Sequence, residues 1–275
     1  MVRAQSEALG VEAGAADART AIHGFRGDPD FMASLARGLA VIRAFHDQPQ
    51  KMTIAELSRR TGIPRAAVRR CLYTLTRLGY VAPSERSFVL TAKMLSLGHA
   101  YLSSTPLVVA AQPLLDRVTA RLHESSSLSI LDADAVLYIA RSATQRIMSV
   151  ALQVGSRLPA YCTSMGQVLL ANLPPPLLEA YLARTPLLAH TPHTITVRAK
   201  LLQVLLAVRQ NGFAMVDQQL EVGLRSVAVP VHDSSGMVVA AINASAQSSR
   251  VSLTELEERF LPVLQSSALD LSHLL

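Results

Sequence analysis

Thr53-Ile-Ala-Glu-Leu-Ser-Arg-Arg-Thr-Gly-Ile-Pro64 runs directly into Arg65-Ala-Ala-Val-Arg-Arg-Cys-Leu-Tyr-Thr-Leu-Thr-Arg-Leu-Gly79-Tyr80, and a short loop to Arg86 follows. Thr53 and Glu56 have the spacing of a capping box, in which each side chain satisfies a free backbone N–H at a helix start. Met52 and Leu57 flank that cap as a hydrophobic staple. Gly62 suits the left-handed residue that ends a helix, and Pro64 suits the first turn of the next, where its missing N–H costs nothing. Gly79 ends the second helix as Gly62 ends the first. The pattern predicts a helix, a tight turn, a second helix and a hairpin wing, the outline of a winged helix-turn-helix that sets one helix in a DNA major groove.

The second helix has an inside and an outside. At about 100° per residue, Val68, Cys71, Leu72, Leu75 and Leu78 fall on one arc. Ala66, Arg69, Arg70, Tyr73 and Arg77 fall on the other, with Arg65 at its margin. Arginine pairs with guanine edges or phosphates, and a small alanine lets the backbone come close to the groove. Ser58, Arg59, Arg65, Ala66, Arg69, Arg70, Tyr73 and Arg86 are therefore the candidate DNA contacts. A solvated basic face on an ordinary helical hairpin is the alternative, and the turn and wing weigh against it.

Charge is placed to match. Residues 31–104 carry 11 Lys/Arg against 3 Asp/Glu, a net of +8, whereas residues 1–30 net −2 and residues 105–275 net zero. The whole basic excess sits on the predicted DNA-binding segment, as a phosphate-binding domain requires. A membrane-surface role fits less well, because the segment shows no large exposed apolar face.

With 275 residues the chain has room for two domains with cores of their own. No apolar run reaches the ~18–20 residues that cross a bilayer, and residues 1–20 lack the apolar segment of a secretory signal. Two cysteines, Cys71 and Cys162, provide neither a disulfide framework nor metal spacing. A cytoplasmic protein with reduced thiols is the expectation. Residues 1–28 read as a mobile tail, 29–91 as the winged domain, 92–105 as a linker helix and 106–275 as a second domain.

The first helix is expected from about Phe31, with Leu35, Leu39, Ile42 and Phe45 on one face. Beyond Pro106 the pattern becomes mixed. A helix to about His123 precedes short apolar runs at Leu128–Leu131, Ala135–Ala140, Ile147–Leu152, Ser226–Val231 and Met237–Ala244. Asp132-Ala-Asp134, Gly155 and Asp233-Ser-Ser-Gly236 are turn signals between them. Helices are expected at Met165–Asn172, Pro175–Leu182, Val197–Asn211 and from Ser252 onward. Strands joined by short turns point to an α+β fold with a curved antiparallel sheet flanked by helices, not a doubly wound parallel sheet.

Catalytic motifs are not found. The chain has no Gly-x-Ser-x-Gly, Walker, His-Glu-x-x-His or paired Cys-x-x-Cys pattern. His190-Thr-Pro-His193 has one possible metal spacing in a Pro-containing loop without supporting ligands, so no metal and no cofactor are expected.

The chain resembles the isocitrate lyase regulator (IclR) family of bacterial transcription factors over nearly its whole length from Asp28. Ser34-Leu-Ala-Arg-Gly-Leu-Ala-Val-Ile42 and Ile54-Ala-Glu-Leu-Ser-Arg-Arg-Thr-Gly-Ile-Pro64 resemble the family's first helix and helix-turn. Gly155-Ser-Arg-Leu-Pro-Ala-Tyr-Cys-Thr-Ser-Met-Gly166 resembles the loop facing its effector. Gly212-Phe-Ala-Met-Val-Asp217 and Gly223-Leu-Arg-Ser-Val-Ala-Val-Pro230 resemble its second signature. Asp28-Pro-Asp-Phe31, Arg65 to Leu75 and Gly223 to Pro230 are most similar to the β-ketoadipate pathway subgroup, the PcaR, PcaU and PobR type.

The resemblance implies a GAF-like effector domain holding a small acid. Carried over, its contacts would be Ser164, Met165, Asp217, Ser226, Asn243 and Ser245. Ser226 stands where many members have Cys, and Asn243 where Ser is common. Read without the resemblance, Ser164 suits a helix cap and Asp217 a strand end. Arg157, Arg141 or Arg225 could balance the acid's charge, as could the N–H groups after Thr163; Arg225 could instead pair with Glu221 or Asp217.

The function implied is a ligand-responsive regulator, an activator by subgroup, of protocatechuate or 4-hydroxybenzoate catabolism. Its expected partners are operator DNA, an acid of the β-ketoadipate, protocatechuate or 4-hydroxybenzoate class, RNA polymerase, and further copies of itself as a dimer or tetramer; no membrane is expected. A repressor of another carbon-catabolic operon, an enzyme with an appended DNA-binding domain and a non-specific architectural DNA binder are the alternatives.

Overall fold

The computed structural model of the chain describes residues 27–45, 51–144 and 152–275, with Ile22, Gly24 and Phe25 besides. The tail expected over 1–28 lies mostly outside the described residues, as does most of the apolar run Ile147–Leu152. The chain forms two compact units, one up to Ala100 and one from Tyr101.

In the first unit, α1 (Ala33–Arg43), α2 (Ile54–Thr61) and α3 (Arg65–Arg77) precede a two-stranded antiparallel wing, β1 (Val81–Ser84) and β2 (Ser87–Leu90). The capping box forms in both directions: Glu56 N–H donates to Thr53 Oγ1 at 3.3 Å and Thr53 N–H to Glu56 Oε2 at 2.7 Å. Such a cap contributes about 1 kcal/mol. Gly62 and Gly79 have φ of 67° and 80°, which a Cβ would strain. Val68, Leu72 and Leu75 of α3 are buried with Leu57, Ile63, Val81 and α1's Ala40 and Val41.

Two inward assignments differ from expectation. Leu78 is 53% exposed, because it lies just past the end of α3. Leu35 and Leu39 are 57% and 51% exposed; α1 meets the core through the small Ala40 and Val41 instead.

A 3-10 turn, Ala92–Met94, leads into α4 (Leu95–Ser104), which buries no residue and straddles the boundary of the units. In the second unit, α5 (Pro106–Leu122) ends at left-handed His123. Strands β3 (Ser125–Asp132), β4 (Ala135–Ser142), β5 (Arg157–Pro159), β6 (Ala214–Asp217), β7 (Leu224–His232) and β8 (Val238–Gln247) form one sheet in the order β5-β4-β3-β8-β7-β6, every pairing antiparallel. Register shifts at Leu128/Ser129 and Val231/His232 bend the sheet, as bulges do. The Asp233–Gly236 turn joins β7 to β8 as expected. Strands β5 and β6, of three and four residues, were too short to declare themselves by alternation.

Alternation gives the sheet two buried faces. Leu128, Val227, Val229, Ile242 and Ala244 pack with α5 and α9 (Leu261–Ser272). Val136, Tyr138, Ala228 and Ala241 pack with α6 (Ser164–Ala171) and α8 (Arg198–Asn211), while α7 (Pro175–Arg184) adds Tyr181 and Leu182 to that layer. Among the described residues no helix is long and apolar enough to cross a membrane.

Candidate functional site

The exposed side of α3 carries Arg65, Ala66, Arg69, Arg70 and Tyr73. Arg59 is exposed on α2, and Ser58 turns back into the tight turn, donating to Ile63 O at 2.7 Å. Arg86 is exposed at the tip of the wing, beside Glu85 in a left-handed conformation. Arg77, which the helical arc placed on this face but not among the candidate DNA contacts, pairs here with Tyr73. Arg77 Nε donates to Tyr73 Oη at 3.2 Å, and its guanidinium lies 5.3 Å from the ring centroid. The i,i+4 spacing of Tyr73 and Arg77 was the signal for that pair. Arginine held against an aromatic ring keeps its charge while losing freedom, which suits a surface that meets phosphate.

In the second unit, polar side chains gather on the sheet face that α6 covers. Ser127 of β3 is opposite Arg141 of β4 on one side and Asn243 of β8 on the other. The next rung is Ser125, Ser245 and Ser226. Ser129, two residues along from Ser127 on the same face, donates to Met165 Sδ of α6 at 3.1 Å. Period-two alternation therefore places Arg141, Ser127, Asn243, Ser245 and Ser226 under α6. Arg141 Nη1 donates to Ser127 Oγ at 3.0 Å, and Asn243 Nδ2 to Ser245 Oγ at 3.1 Å.

This layer is under-satisfied. Arg141 Nε, Asn243 Oδ1 and Ser164 Oγ are buried with no hydrogen-bond partner among the described residues. A buried polar atom without a partner costs about 1–3 kcal/mol, so Arg141 Nε and Asn243 Oδ1, on the two residues that flank Ser127, point to a polar guest that completes them. No carboxylate among the described residues pairs with Arg141. Burial pulls its pKa below the ordinary arginine range and pushes the Tyr138 phenol up to about 12, which the Arg141 charge opposes. A desolvated guanidinium with a free donor, on a face of serines and one amide, is the chemistry of a carboxylate site.

Helix α6 starts over that face. Thr163, not Ser164, is its cap, accepting from Gly166 N at 3.2 Å. Gly166 lets the helix approach closely, since a Cβ there would lie 2.0 Å from Ala160 O. Ser164 and Met165, both about 1% exposed, lie in the first turn of that helix, and Met165 Sδ accepts from Ser129 on the polar face.

Asp217 is not in that layer. It pairs with Arg225 across β6 and β7, one residue out of phase with Val216 and Ser226, and so faces the opposite side of the sheet. Its carboxylate accepts from Arg225 Nε at 2.6 Å, which holds its pKa below the usual carboxylate range. Arg225 also donates to Ser248 O and Val251 O. Arg157 pairs with Asp132. Of the three arginines weighed from sequence, Arg141 is the one on the polar face.

His190 packs against Tyr161. It donates Nε2–H to Tyr161 Oη at 2.9 Å, since that hydroxyl itself donates to Leu188 O. Burial lowers its pKa and its Nδ1 is buried without a partner among the described residues, where no group of potential ligands is arranged for a metal ion. Gln167, fully buried, donates to Tyr161 O and Gln219 Oε1 and fastens this loop to α6.

Comparison with known proteins matches both units. Residues 34–85 fit the IclR helix-turn-helix domain, and residues 99–273 the bacterial transcriptional regulator IclR C-terminal domain. The Pca regulon regulatory protein of Pseudomonas putida is 54% identical over 92% of this chain and 87% of its own. The p-hydroxybenzoate hydroxylase transcriptional activator of Acinetobacter baylyi is 36% identical over 89% and 92%. A crystal structure of a candidate transcriptional regulator from Rhodococcus sp. RHA1 shares 47% identity with a TM-score of 0.81, over 89% of this chain and 98% of that one. The inducer-binding domain of Acinetobacter PobR, solved as a double mutant with 3-hydroxybenzoic acid, superposes with a TM-score of 0.59 at 33% identity, over 62% of this chain and 100% of that one.

Proposed function

The chain belongs to the IclR family of bacterial transcriptional regulators, and we propose that its effector is a small organic acid of aromatic catabolism, seated under α6 with its carboxylate on Arg141. As a member of that family it is a ligand-responsive DNA-binding regulator, not an enzyme. The observation that carries the effector site is the half-buried guanidinium of Arg141, whose Nε is buried with no partner among the described residues, with the equally unpartnered Asn243 Oδ1 across Ser127 from it. The names of the relatives support the chemical class: one regulates a Pca regulon, one a p-hydroxybenzoate hydroxylase, and one was solved with a hydroxybenzoic acid.

On this reading β-ketoadipate, protocatechuate and 4-hydroxybenzoate are the effectors to try, and the protein acts in the cytoplasm on operator DNA as an activator that engages RNA polymerase. Ser58, Arg59, Arg65, Ala66, Arg69, Arg70, Tyr73 and Arg86 supply the DNA contacts, with Ser58 shaping the turn. Two such units in a dimer would read half-sites about one helical turn apart, ~34–36 Å. Exposed Leu35, Leu39, Leu95 and Leu97 are apolar surface available to a second copy, in a dimer or a tetramer.

A thermal-shift screen with those three acids, pyruvate and glyoxylate tests the effector assignment, because a ligand that binds only the folded state raises the melting temperature. A rise with one of the aromatic-pathway acids supports it. A rise with pyruvate or glyoxylate alone would favour regulation of another carbon-catabolic operon.

A further inference from the structure

The end of α3 is held by residues that lie beyond the wing. Tyr80 N–H returns to Leu75 O at 2.9 Å and Gly79 N–H to Thr76 O at 3.0 Å, which satisfies two of the helix's last carbonyls from its own chain. The carbonyls of Leu78, Gly79 and Tyr80, just past the helix, are taken by Thr91 and Lys93. Lys93 Nζ donates to Leu78 O at 2.9 Å, Thr91 Oγ1 to Gly79 O at 2.6 Å, and Thr91 N–H to Tyr80 O at 3.0 Å. The Lys93 ammonium also lies 5.1 Å from the centroid of the Tyr80 ring. A cation there opposes the negative end of the α3 dipole. Gly79 itself is required by its left-handed φ of 80°, which lets the chain turn back so that Lys93 reaches Leu78 O.

The geometry points to Thr91 and Lys93 as positioning residues for sequence-specific DNA recognition. They touch no base; they fix the direction in which α3 presents Arg65, Arg69 and Arg70. Helix α4 starts at Leu95, two residues past Lys93, so the direction of α3 is tied to the start of the linker. This rests on the reading of α3 as the recognition helix. Base-edge contacts carry the sequence information, whereas phosphate contacts are shared by every sequence. Loosening the end of α3 therefore takes specificity first and general affinity little.

The experiment measures affinity across a salt series for wild type, Lys93→Met, Lys93→Arg and Thr91→Val. Each is tested on a duplex selected by the wild type from a random library, and on random DNA. Melting temperatures within a few degrees of wild type establish that each variant is folded. Lys93→Met and Thr91→Val are expected to lose about five- to tenfold on the selected duplex, the loss of one hydrogen bond. Random DNA and the salt slope should stay as in wild type, and Lys93→Arg, which still reaches Leu78 O, should recover most of the loss. An equal loss on both DNAs, with the log–log salt slope shallower by about one, makes Lys93 a phosphate contact and overturns the proposal. Full affinity of both variants for the selected duplex overturns it as well. If the wild type selects no sequence at all, the recognition role of α3 falls, and the positioning role with it.

Discussion

Replacing Arg141 with Met removes its guanidinium from the polar face and keeps most of the side chain's apolar stem. Two quantities should then part company. For the effector, the interaction removed is a charge-assisted hydrogen bond, about 1.5–3 kcal/mol, or roughly 10- to 150-fold in affinity. For the protein alone, Ser127 Oγ loses the donor 3.0 Å away, a cost of about 1 kcal/mol. Against that, an unpartnered Nε and a half-buried charge disappear, so stability should change by less than about 1 kcal/mol, some 2–4 °C for a domain this size. The assay is a thermal shift with the acid that stabilises the wild type. At 100 times the wild-type Kd the acid adds about 2.7 kcal/mol; with affinity reduced 30-fold it adds about 0.9 kcal/mol, a third of the shift. Arg141→Lys should fall between, since an ammonium keeps the charge but loses the planar fork. A full thermal shift in Arg141→Met would refute the assignment of the carboxylate to Arg141.

Arg69→Ala with Arg70→Ala should leave the melting temperature unchanged, because both side chains are exposed; removing one base interaction on selected DNA should cost about 1–3 kcal/mol, and unchanged binding in a filter or gel assay would remove α3 from the recognition role. Gly166→Ala forces a Cβ to within 2.0 Å of Ala160 O and should destabilise by about 1–3 kcal/mol or more in chemical denaturation, with effector affinity falling too; a wild-type midpoint would show that α6 can move off the loop. Burial holds the His190 pKa below its ordinary 6.5, so the folded state binds a proton less readily than the unfolded chain, and stability should be lost as pH falls from about 6.5 toward the lowered value. His190→Gln should flatten that part of a melting-temperature-against-pH curve, and an unaltered curve would show that the proton is taken elsewhere.

The sequence was legible where local chemistry alone decides structure. The capping box at Thr53, the left-handed glycines at 62 and 79 and the Asp233–Gly236 turn each require particular residues at particular places, and those residues were present. The basic arc of α3 followed from a 100° periodicity that any thirteen-residue helix must obey. What escaped depended on which way a strand faces. Asp217 lies in a recognisable signature, yet one residue of phase puts it on the far side of the sheet with Arg225. Arg141 could not be ranked above Arg157 and Arg225, because its facing follows a register shift at Leu128/Ser129 that no residue pattern announces. Leu35 and Leu39 formed a convincing stripe, but the adjacent Ala40 and Val41 allow closer packing and took the inner position. Tyr73 and Arg77 were both placed on the outer arc of α3, and only geometry shows that they meet.

If an acid seated under α6 controls transcription, the transcript itself should report it. The protein is added to purified RNA polymerase and a genomic promoter fragment that it retains, with and without the acid that raises its melting temperature. Transcript should change several-fold with acid at constant protein, and Arg141→Met should abolish the response while still binding the fragment. Transcript levels that ignore the acid, with wild-type protein saturating the fragment, would mean that the site under α6 does not govern transcription.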